Sequence, residues 1–153
     1  MQNPKETDPA LELALCNCLA VRQAARRVSQ FYASYLAPLG LKSSQYSILS
    51  KLNRLGPMAI NEIAESMVMD RTTTGRAIRP LEREGLVRIG SAEDGRKRVV
   101  ALTAAGKKRA AAALEAWRQA QGDFERTFGP EAAKNLRAMM KDVVQAVPET
   151  GAA

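Results

Sequence analysis

Eight basic side chains lie within residues 71–98, near the middle of a chain of 153 residues. Four acidic side chains accompany them, so this stretch has a local net charge of +4 out of +7 for the whole chain. Guanidinium groups donate paired hydrogen bonds to phosphates and to guanine edges, and threonine can contact a phosphate or a thymine methyl group. The composition is therefore typical of a surface that contacts a polyanion. The basic residues are Arg71, Arg76, Arg79, Arg83, Arg88, Arg96, Lys97 and Arg98, and the acidic ones are Glu82, Glu84, Glu93 and Asp94.

Residues that support catalysis or bind metals are scarce. The chain contains no histidine and two cysteines, Cys16 and Cys18, which are too few for the usual zinc sites. None of the 16 acidic residues lies at a strand end or in a glycine-rich setting that would position a reacting carboxylate. We therefore expect no catalytic residue, no metal and no cofactor, and hence no enzyme.

The basic stretch begins in a predicted helix that runs from about Arg71 to Glu84, with Asp70 as its N-cap. Helical spacing divides it into a packing face and a basic face. The packing face consists of Thr74, Ile78, Leu81 and Gly85, and the basic face of Thr72, Arg76, Arg79 and Arg83. Ion pairs with neighbouring glutamates are an equal alternative for Arg79 and Arg83. Pro80 removes a backbone hydrogen bond, so we expect a bend or an interruption in the last turns.

Three helices are predicted before the basic one. Apolar spacing predicts a first helix over 11–36 and a second from Ser43 or Ser44 to the Gly56-Pro57 break. A short third helix over 61–67 then leads through a two-residue turn into the basic helix. Three predicted helices therefore precede the residues that are candidates for contacting a polyanion.

A hairpin and two long helices are predicted after the basic helix. Residues 86–90 and 97–102 alternate as two strands around a charged tip. Thr103 caps the next helix, and Pro130 opens the last one, which ends near residue 147. Apolar positions recur in steps of 4 and 3, which predicts a seam for a partner helix. In the first of these helices the positions are Ala110, Leu114, Trp117, Gln121, Phe124 and Phe128, with Gln121 as the one polar interruption.

Six short motifs follow one another along the chain. They are Leu39-Gly40-Leu41 with Gln45, Asn61-Glu62-Ile63-Ala64, Thr72-Thr73-Thr74-Gly75-Arg76, Leu81-Glu82 with Gly85-Leu86-Val87, Asp94-Gly95-Arg96, and Leu102-Thr103 with Gly106. Their order and spacing resemble the MarR family of bacterial transcription regulators, which are dimeric winged helix-turn-helix proteins. The resemblance spans about Leu11 to Val147. Ala59 departs from the pattern, because a serine or threonine there would complete a capping box with Glu62.

The resemblance assigns roles to the basic helix and to the hairpin, which it makes the wing. It implies that Thr72, Thr73 and Arg76 enter the major groove of DNA and that Arg96 reaches the minor groove or its phosphates. It also implies that Asp94 orients Arg96. An ordinary exposed hairpin is the alternative for the wing. The DNA-binding residues that we predict are Arg71, Thr72, Thr73, Thr74, Arg76, Arg96, Lys97 and Arg98.

A small effector often binds between the first, second and fifth helices in the resembled family. The pocket candidates here are Arg22, Arg26, Tyr32 and Tyr46, with an ordinary surface role as the alternative for the arginines. Cys18 matches a sensing cysteine of a peroxide-sensing branch, and Tyr32 matches one of its tyrosines. Arg22 and Ser43 replace further tyrosines of that branch. We favour the simpler interpretation, in which both cysteines are small buried hydrophobic residues.

These observations predict a mainly α fold with a small β-hairpin wing, an α+β arrangement, as one winged helix-turn-helix domain over 1–153. The DNA-binding lobe covers 44–102, and 11–36 with 103–147 forms a helical dimerisation region. No signal peptide or membrane-length apolar run is present, which predicts a cytoplasmic location without membrane contact.

The resemblance implies a homodimer that binds an inverted-repeat operator in double-stranded DNA, as a repressor rather than an activator, with possible release by an unknown small molecule. The alternative is a helical protein-interaction module without specific DNA binding. RNA binding ranks third, because its single-strand platforms need more aromatic residues than this chain has.

Overall fold

The structure is a computed structural model that describes residues 9–149. Within this range the helices outnumber the strands, and a short 3-10 turn at Ala37–Leu39 follows the second helix. The helices are α1 (Pro9–Ala14), α2 (Asn17–Leu36), α3 (Ser43–Leu55), α4 (Ile60–Met67), α5 (Arg71–Arg83), α6 (Ala104–Phe128) and α7 (Pro130–Ala146). The strands are β1 (Met58–Ala59), β2 (Val87–Ser91) and β3 (Arg98–Leu102). The predicted fold class, mainly α with a small β-hairpin wing, is confirmed.

The single first helix predicted over 11–36 is wrong, because the chain forms two helices there. Cys16 has an extended backbone conformation at the N-cap of α2, and its Sγ accepts a hydrogen bond from the Leu19 N–H at 3.4 Å. Leu13 and Leu15 are 59% and 74% exposed. The apolar spacing that suggested one helix therefore includes side chains that pack against nothing in this chain's core.

The wing belongs to a three-stranded antiparallel sheet in the order β1-β3-β2. Val87 pairs with Leu102 and Ile89 with Val100, so the apolar positions of the hairpin share one face. The strand β1 is a two-residue addition that pairs with β3 and was not predicted. It gives the wing a third strand on the side next to α4.

A common core joins the sheet to α3, α4, α5 and the first half of α6. Ile48, Ile63, Ile78 and Val100 are fully buried in it, and each comes from a different element. Burial of such aliphatic side chains contributes about 1.5–3 kcal/mol each, so the position of α5 is fixed on its inner side. The helix continues through Pro80 to Arg83, so the predicted interruption does not occur.

Most of the regular apolar positions of α6 pack within the chain, and Phe128 at its end is the exposed exception. Ala110 lies in the core and Trp117 packs against it. Farther along, the Phe124 ring lies 6.0 Å from the rings of both Phe31 and Tyr32 on α2, measured between centroids. Larger exposed apolar side chains occur instead on α7 and around the α1–α2 break. No helix in the described range is long and apolar enough to cross a membrane.

Candidate nucleic-acid interface

The start of α5 is fixed by the side chain of Asp70. One carboxylate oxygen accepts the Thr73 N–H at 2.8 Å, and the other accepts the Thr73 hydroxyl at 2.6 Å. These two bonds, the hydroxyl bond first, lower the pKa of Asp70 below its ordinary value of 3.8. The predicted N-cap is confirmed, and it presents the first turn of α5 with one of its free amides satisfied.

The two faces predicted for α5 are present. Ile78 and Leu81 are fully buried, whereas Arg71, Thr72 and Arg76 are exposed. Arg79 and Arg83 continue the exposed face along the helix. The basic side chains thus share one solvent-facing side of a helix whose other side is anchored in the core.

Thr74 was predicted as a DNA-binding residue, and the structure corrects this. Its side chain is fully buried, and its hydroxyl donates to the Asp70 carbonyl oxygen at 2.9 Å. Thr74 therefore belongs to the packing face, where its hydroxyl is satisfied by the backbone. Thr73 stays exposed, although its hydroxyl proton is already donated to Asp70.

The wing tip is a tight turn between β2 and β3. The Ala92 N–H donates to the Lys97 carbonyl at 2.7 Å, and the Gly95 N–H donates to the Ala92 carbonyl at 2.8 Å. Gly95 has φ +69°, a conformation that glycine adopts without strain. The turn leaves the side chains of Arg96, Lys97 and Arg98 exposed.

Asp94 contributes to this turn through the backbone. Its Oδ1 accepts the Arg96 N–H at 3.1 Å. That bond shapes the loop around Arg96, as the resemblance implied, but it is made to the backbone amide of Arg96. The Arg96 guanidinium has no carboxylate within 4.0 Å among residues 9–149.

Ion pairing separates two regions of the molecule. We call α3 to β3 (residues 43–102) the winged lobe, and α1, α2, α6 and α7 the helical body. In the part of the chain that the structure describes, every side-chain ion pair has its basic partner on α6 or α7. Glu84, a possible partner for Arg83, lies 3.7 Å from Arg109 of α6 instead. The basic residues of 71–98 are thus left without carboxylate partners among the described residues.

A cleft of about 690 Å³ lies where α4, the start of α5 and the wing meet. Its basic lining residues are Arg71, Lys97 and Arg98. The sequence predicted that all three bind DNA, but it did not predict that they lie side by side. Asn61, Glu62 and Glu65 of α4 line the same cleft. The Glu62 carboxylate accepts the Ala59 N–H at 2.7 Å, which is half of a capping box. Sequence reasoning missed Asn61 and Glu65, although both lie on the face of α4 away from Ile63 and Ala64.

The four effector-pocket candidates have different surroundings. Arg22 and Arg26 are exposed on α2. The Tyr32 hydroxyl donates to Gln121 Oε1 of α6 at 2.6 Å, and Tyr46 is buried in the core. These positions do not support a single pocket within one chain, and an effector site stays a prediction. The prediction that both cysteines are buried is wrong, because Cys18 is exposed in the first turn of α2 and Cys16 is only half-buried at its N-cap, and both are free thiols.

Comparison with known proteins shows which family the winged lobe is similar to. Residues 41–97, which cover the winged lobe up to the wing tip, match the MarR family model. An uncharacterised HTH-type transcriptional regulator of Bacillus subtilis, YwoH, is 36% identical over 89 residues, 58% of this chain and 65% of YwoH. The chain thus spans slightly less than two thirds of the length of that relative. The winged lobe of this chain is thus similar to the MarR family, over residues 41–97. Regulators of the MarR family are DNA-binding transcription factors and not enzymes.

Solved structures extend the MarR-family similarity beyond the winged lobe. The transcriptional regulator MosR of Mycobacterium tuberculosis is 29% identical, with a TM-score of 0.71 over 87% of this chain and 98% of MosR. MosR also has a crystal structure in complex with DNA, to which this chain is 28% identical. A probable transcriptional regulator from Pseudomonas aeruginosa has a TM-score of 0.75 at 24% identity, over 86% of this chain and 98% of that protein. The shared architecture therefore includes the helical body.

Proposed function

We propose that this protein is a transcription regulator of the MarR family that binds DNA sequence-specifically. The observation that carries the proposal is the solvent-facing basic surface of α5 and the wing, whose guanidinium groups lack carboxylate partners among the described residues. A surface with free cations gains counterion-release free energy on binding DNA, whereas paired cations must first lose their partners. The DNA complex of the related MosR supports the same use of the fold.

The exposed first turns of α5 enter the major groove in this proposal. Arg76 is the main candidate for guanine contacts, and Thr72 is suited to a phosphate or a thymine methyl group. Arg96 at the wing tip lies in or beside the minor groove. Lys97 and Arg98 contact phosphates next to Arg71, because all three line one cleft.

The regulator acts as a homodimer in this proposal, through the helical body. Leu13 and Leu15 at the α1–α2 break, Met139 and Val144 on α7, and Val147 just after it are 55–74% exposed. Exposed apolar side chains of this number on two chain-terminal elements are typical of a covered interface. A two-fold dimer presents two α5 helices, which suit inverted half-sites about one helical turn apart.

The proposed outcome of binding is repression by occupation of a promoter. A small molecule would release the operator by binding more tightly to a dimer whose lobe spacing no longer matches the groove. The rival function is a helical interaction module in which the basic residues serve solubility only. It requires the same exposed apolar side chains but no DNA binding.

The test is DNA binding by a lobe variant and a charge-matched body variant. The wild type first selects duplexes from a random pool. Arg76→Gln with Arg96→Gln is then compared with Arg118→Gln and Arg126→Gln, which removes two positive charges from α6. The lobe variant should bind the selected duplex at least about tenfold more weakly, with a salt slope shallower by about 1 to 2.

The body variant should keep the wild-type affinity and slope to within a small factor. Equal losses in both variants would mean that only net charge matters, which contradicts a defined reading surface. Failure of the wild type to select any duplex would favour the interaction module.

A further inference from the structure

The first turns of α6 form a junction with the end of the recognition helix α5. Thr103, the N-cap of α6, donates its hydroxyl to the Gly85 carbonyl at 2.6 Å and its N–H to the Leu86 carbonyl at 3.1 Å. Its hydroxyl oxygen also accepts the Gly106 N–H at 3.0 Å. The turn that ends α5 is therefore hydrogen-bonded to the residue that starts α6.

Gly106 brings the two backbones into direct contact. A Cβ atom built at this position would lie 1.9 Å from the Leu86 carbonyl oxygen and 2.9 Å from its carbonyl carbon. No side chain fits there unless the backbone moves. The close approach shows that α6 rests on the end of α5 with no intervening side chain.

Arg109 extends this junction to a third element. One of its terminal nitrogens donates to the Leu39 carbonyl at 2.7 Å, and the same nitrogen lies 3.7 Å from a carboxylate oxygen of Glu84. Leu39 ends the 3-10 turn after α2, and Glu84 is the residue after α5. The side chain is 33% exposed, so it is partly enclosed by these neighbours. Among the ion pairs of residues 9–149, this is the one that joins the winged lobe to the helical body.

We propose that Arg109 is a positioning residue that fixes the end of the recognition helix relative to α2 and α6. The stronger of its two contacts is the short bond to Leu39, because a charged donor strengthens a hydrogen bond. The contact to Glu84 is longer and more exposed, so its own contribution is small. It is the link to the end of α5, and the short bond to Leu39 holds the guanidinium where it can make that link. The role in DNA reading rests on the proposed function, since a dimer must hold two α5 helices at the separation that the operator requires.

The experiment compares Arg109→Gln with Lys108→Gln in the full-length dimer. Lys108 is the exposed neighbour on α6, and its substitution removes the same charge. The first readout is hydrogen exchange of the Gly85 and Leu86 amides without DNA. These amides should exchange about two- to fivefold faster in Arg109→Gln and unchanged in Lys108→Gln, since only the former loosens the turn locally.

The second readout is affinity for selected duplexes in which the half-site spacing is changed by one base pair. The wild type and Lys108→Gln should prefer one spacing, whereas Arg109→Gln should discriminate less between spacings. Arg109→Lys, which keeps a donor and the charge, should restore part of the discrimination, which a purely structural role would not require. Thermal unfolding shows whether Arg109→Gln is folded. If it is not, Arg109→Lys replaces it in both assays.

Identical exchange and identical spacing preference in Arg109→Gln and Lys108→Gln would overturn the proposal. Failure of the wild type to select DNA would overturn the proposed function instead. The exchange measurement would then decide alone whether Arg109 holds the junction.

Discussion

The winged lobe and the helical body use arginine and lysine in opposite ways. In the body, Arg118, Arg126 and Lys134 each lie within 4.0 Å of a carboxylate three residues earlier on the same helix. In the lobe, Arg79 has Glu82 three residues later and makes no such pair. An acid that precedes a base on a helix pairs better than the reverse order, because this order also suits the helix dipole. The order of charges along α5 is therefore one reason why Arg79 is left without a partner on its own helix.

The same contrast applies to the carboxylates. Asp123 of the body accepts hydrogen bonds from Tyr35 of α2 and from Arg126, so it joins two helices. Asp70 and Glu62 of the lobe accept bonds from the starts of their own helices. Asp70 and Glu62 thus define helix starts, whereas Asp123 contributes to how two helices pack. Each region can then be perturbed separately, and the junction at Gly106 is where they meet.

The largest effect on stability should come from a substitution at the junction between the winged lobe and the helical body. Gly106→Ala places a methyl group on the Leu86 carbonyl, so the free energy of unfolding should fall by roughly 3 kcal/mol, the upper part of the range for overpacking. Gly122→Ala is the matched control, because it lies in the same helix and has no atom within 4 Å of its Cβ position. This control should be neutral or stabilising, by up to about 1 kcal/mol, since alanine favours the helix. Urea unfolding measures both, and a similar loss in the two variants would contradict a close junction.

A smaller effect should appear inside the lobe, at the cleft that holds Arg71, Lys97 and Arg98. Glu65 lines the same cleft and repels any phosphate that these cations attract. Glu65→Gln should therefore tighten binding to the selected duplex about threefold at low salt, and less at high salt. Glu131→Gln on α7 removes the same charge from the body and should leave affinity unchanged. Tightening by both variants would assign the effect to net charge and remove the special role of the cleft.

Local signals explain most of what could be predicted from the sequence. The N-caps Asp70 and Thr103 both act as predicted, because a cap depends on residues within one turn. The break before α2 was missed because Cys16, a poor match to the usual capping residues, supplies its sulfur as the acceptor. The strand β1 was missed because two residues carry no periodicity, and only pairing with β3 makes them a strand.

The sequence indicated which types of residue form the candidate DNA-binding site better than it indicated where those residues lie in the fold. Thr74 was included because threonine suits DNA, although its spacing to Ile78 and Leu81 already placed it on the packing face. Asn61 and Glu65 were omitted because their contribution depends on how α4 lies beside the wing. That arrangement results from packing between segments that are distant in the sequence. The spacing of residues along the chain carries no information about such packing.

The smallest predicted effect concerns pH and the body's carboxylate Asp123. The hydrogen bond from Tyr35, followed by that from Arg126, lowers the pKa of Asp123 below its ordinary value of 3.8. Because this pKa is lowered, Asp123 binds fewer protons in the folded state than in the unfolded chain at a pH near its pKa. This stabilisation is present above about 3.8 and is lost as pH falls through the folded-state pKa.

Tyr35→Phe removes the hydroxyl that is the largest cause of the lowered pKa of Asp123. It keeps the aromatic ring that packs against Phe31. The variant should be less stable than the wild type at neutral pH, and the difference should shrink as pH falls below about 3.8, because protonated Asp123 no longer favours the Tyr35 hydroxyl in the wild type. Asp70 has a pKa lowered in the same way by Thr73 and is unaffected by this substitution, so both proteins should keep a common acid-induced loss. Urea unfolding across this pH range measures the difference. A difference that stays constant with pH would mean that Tyr35 acts through packing alone, and the contrast between helix-joining and helix-capping carboxylates would not hold.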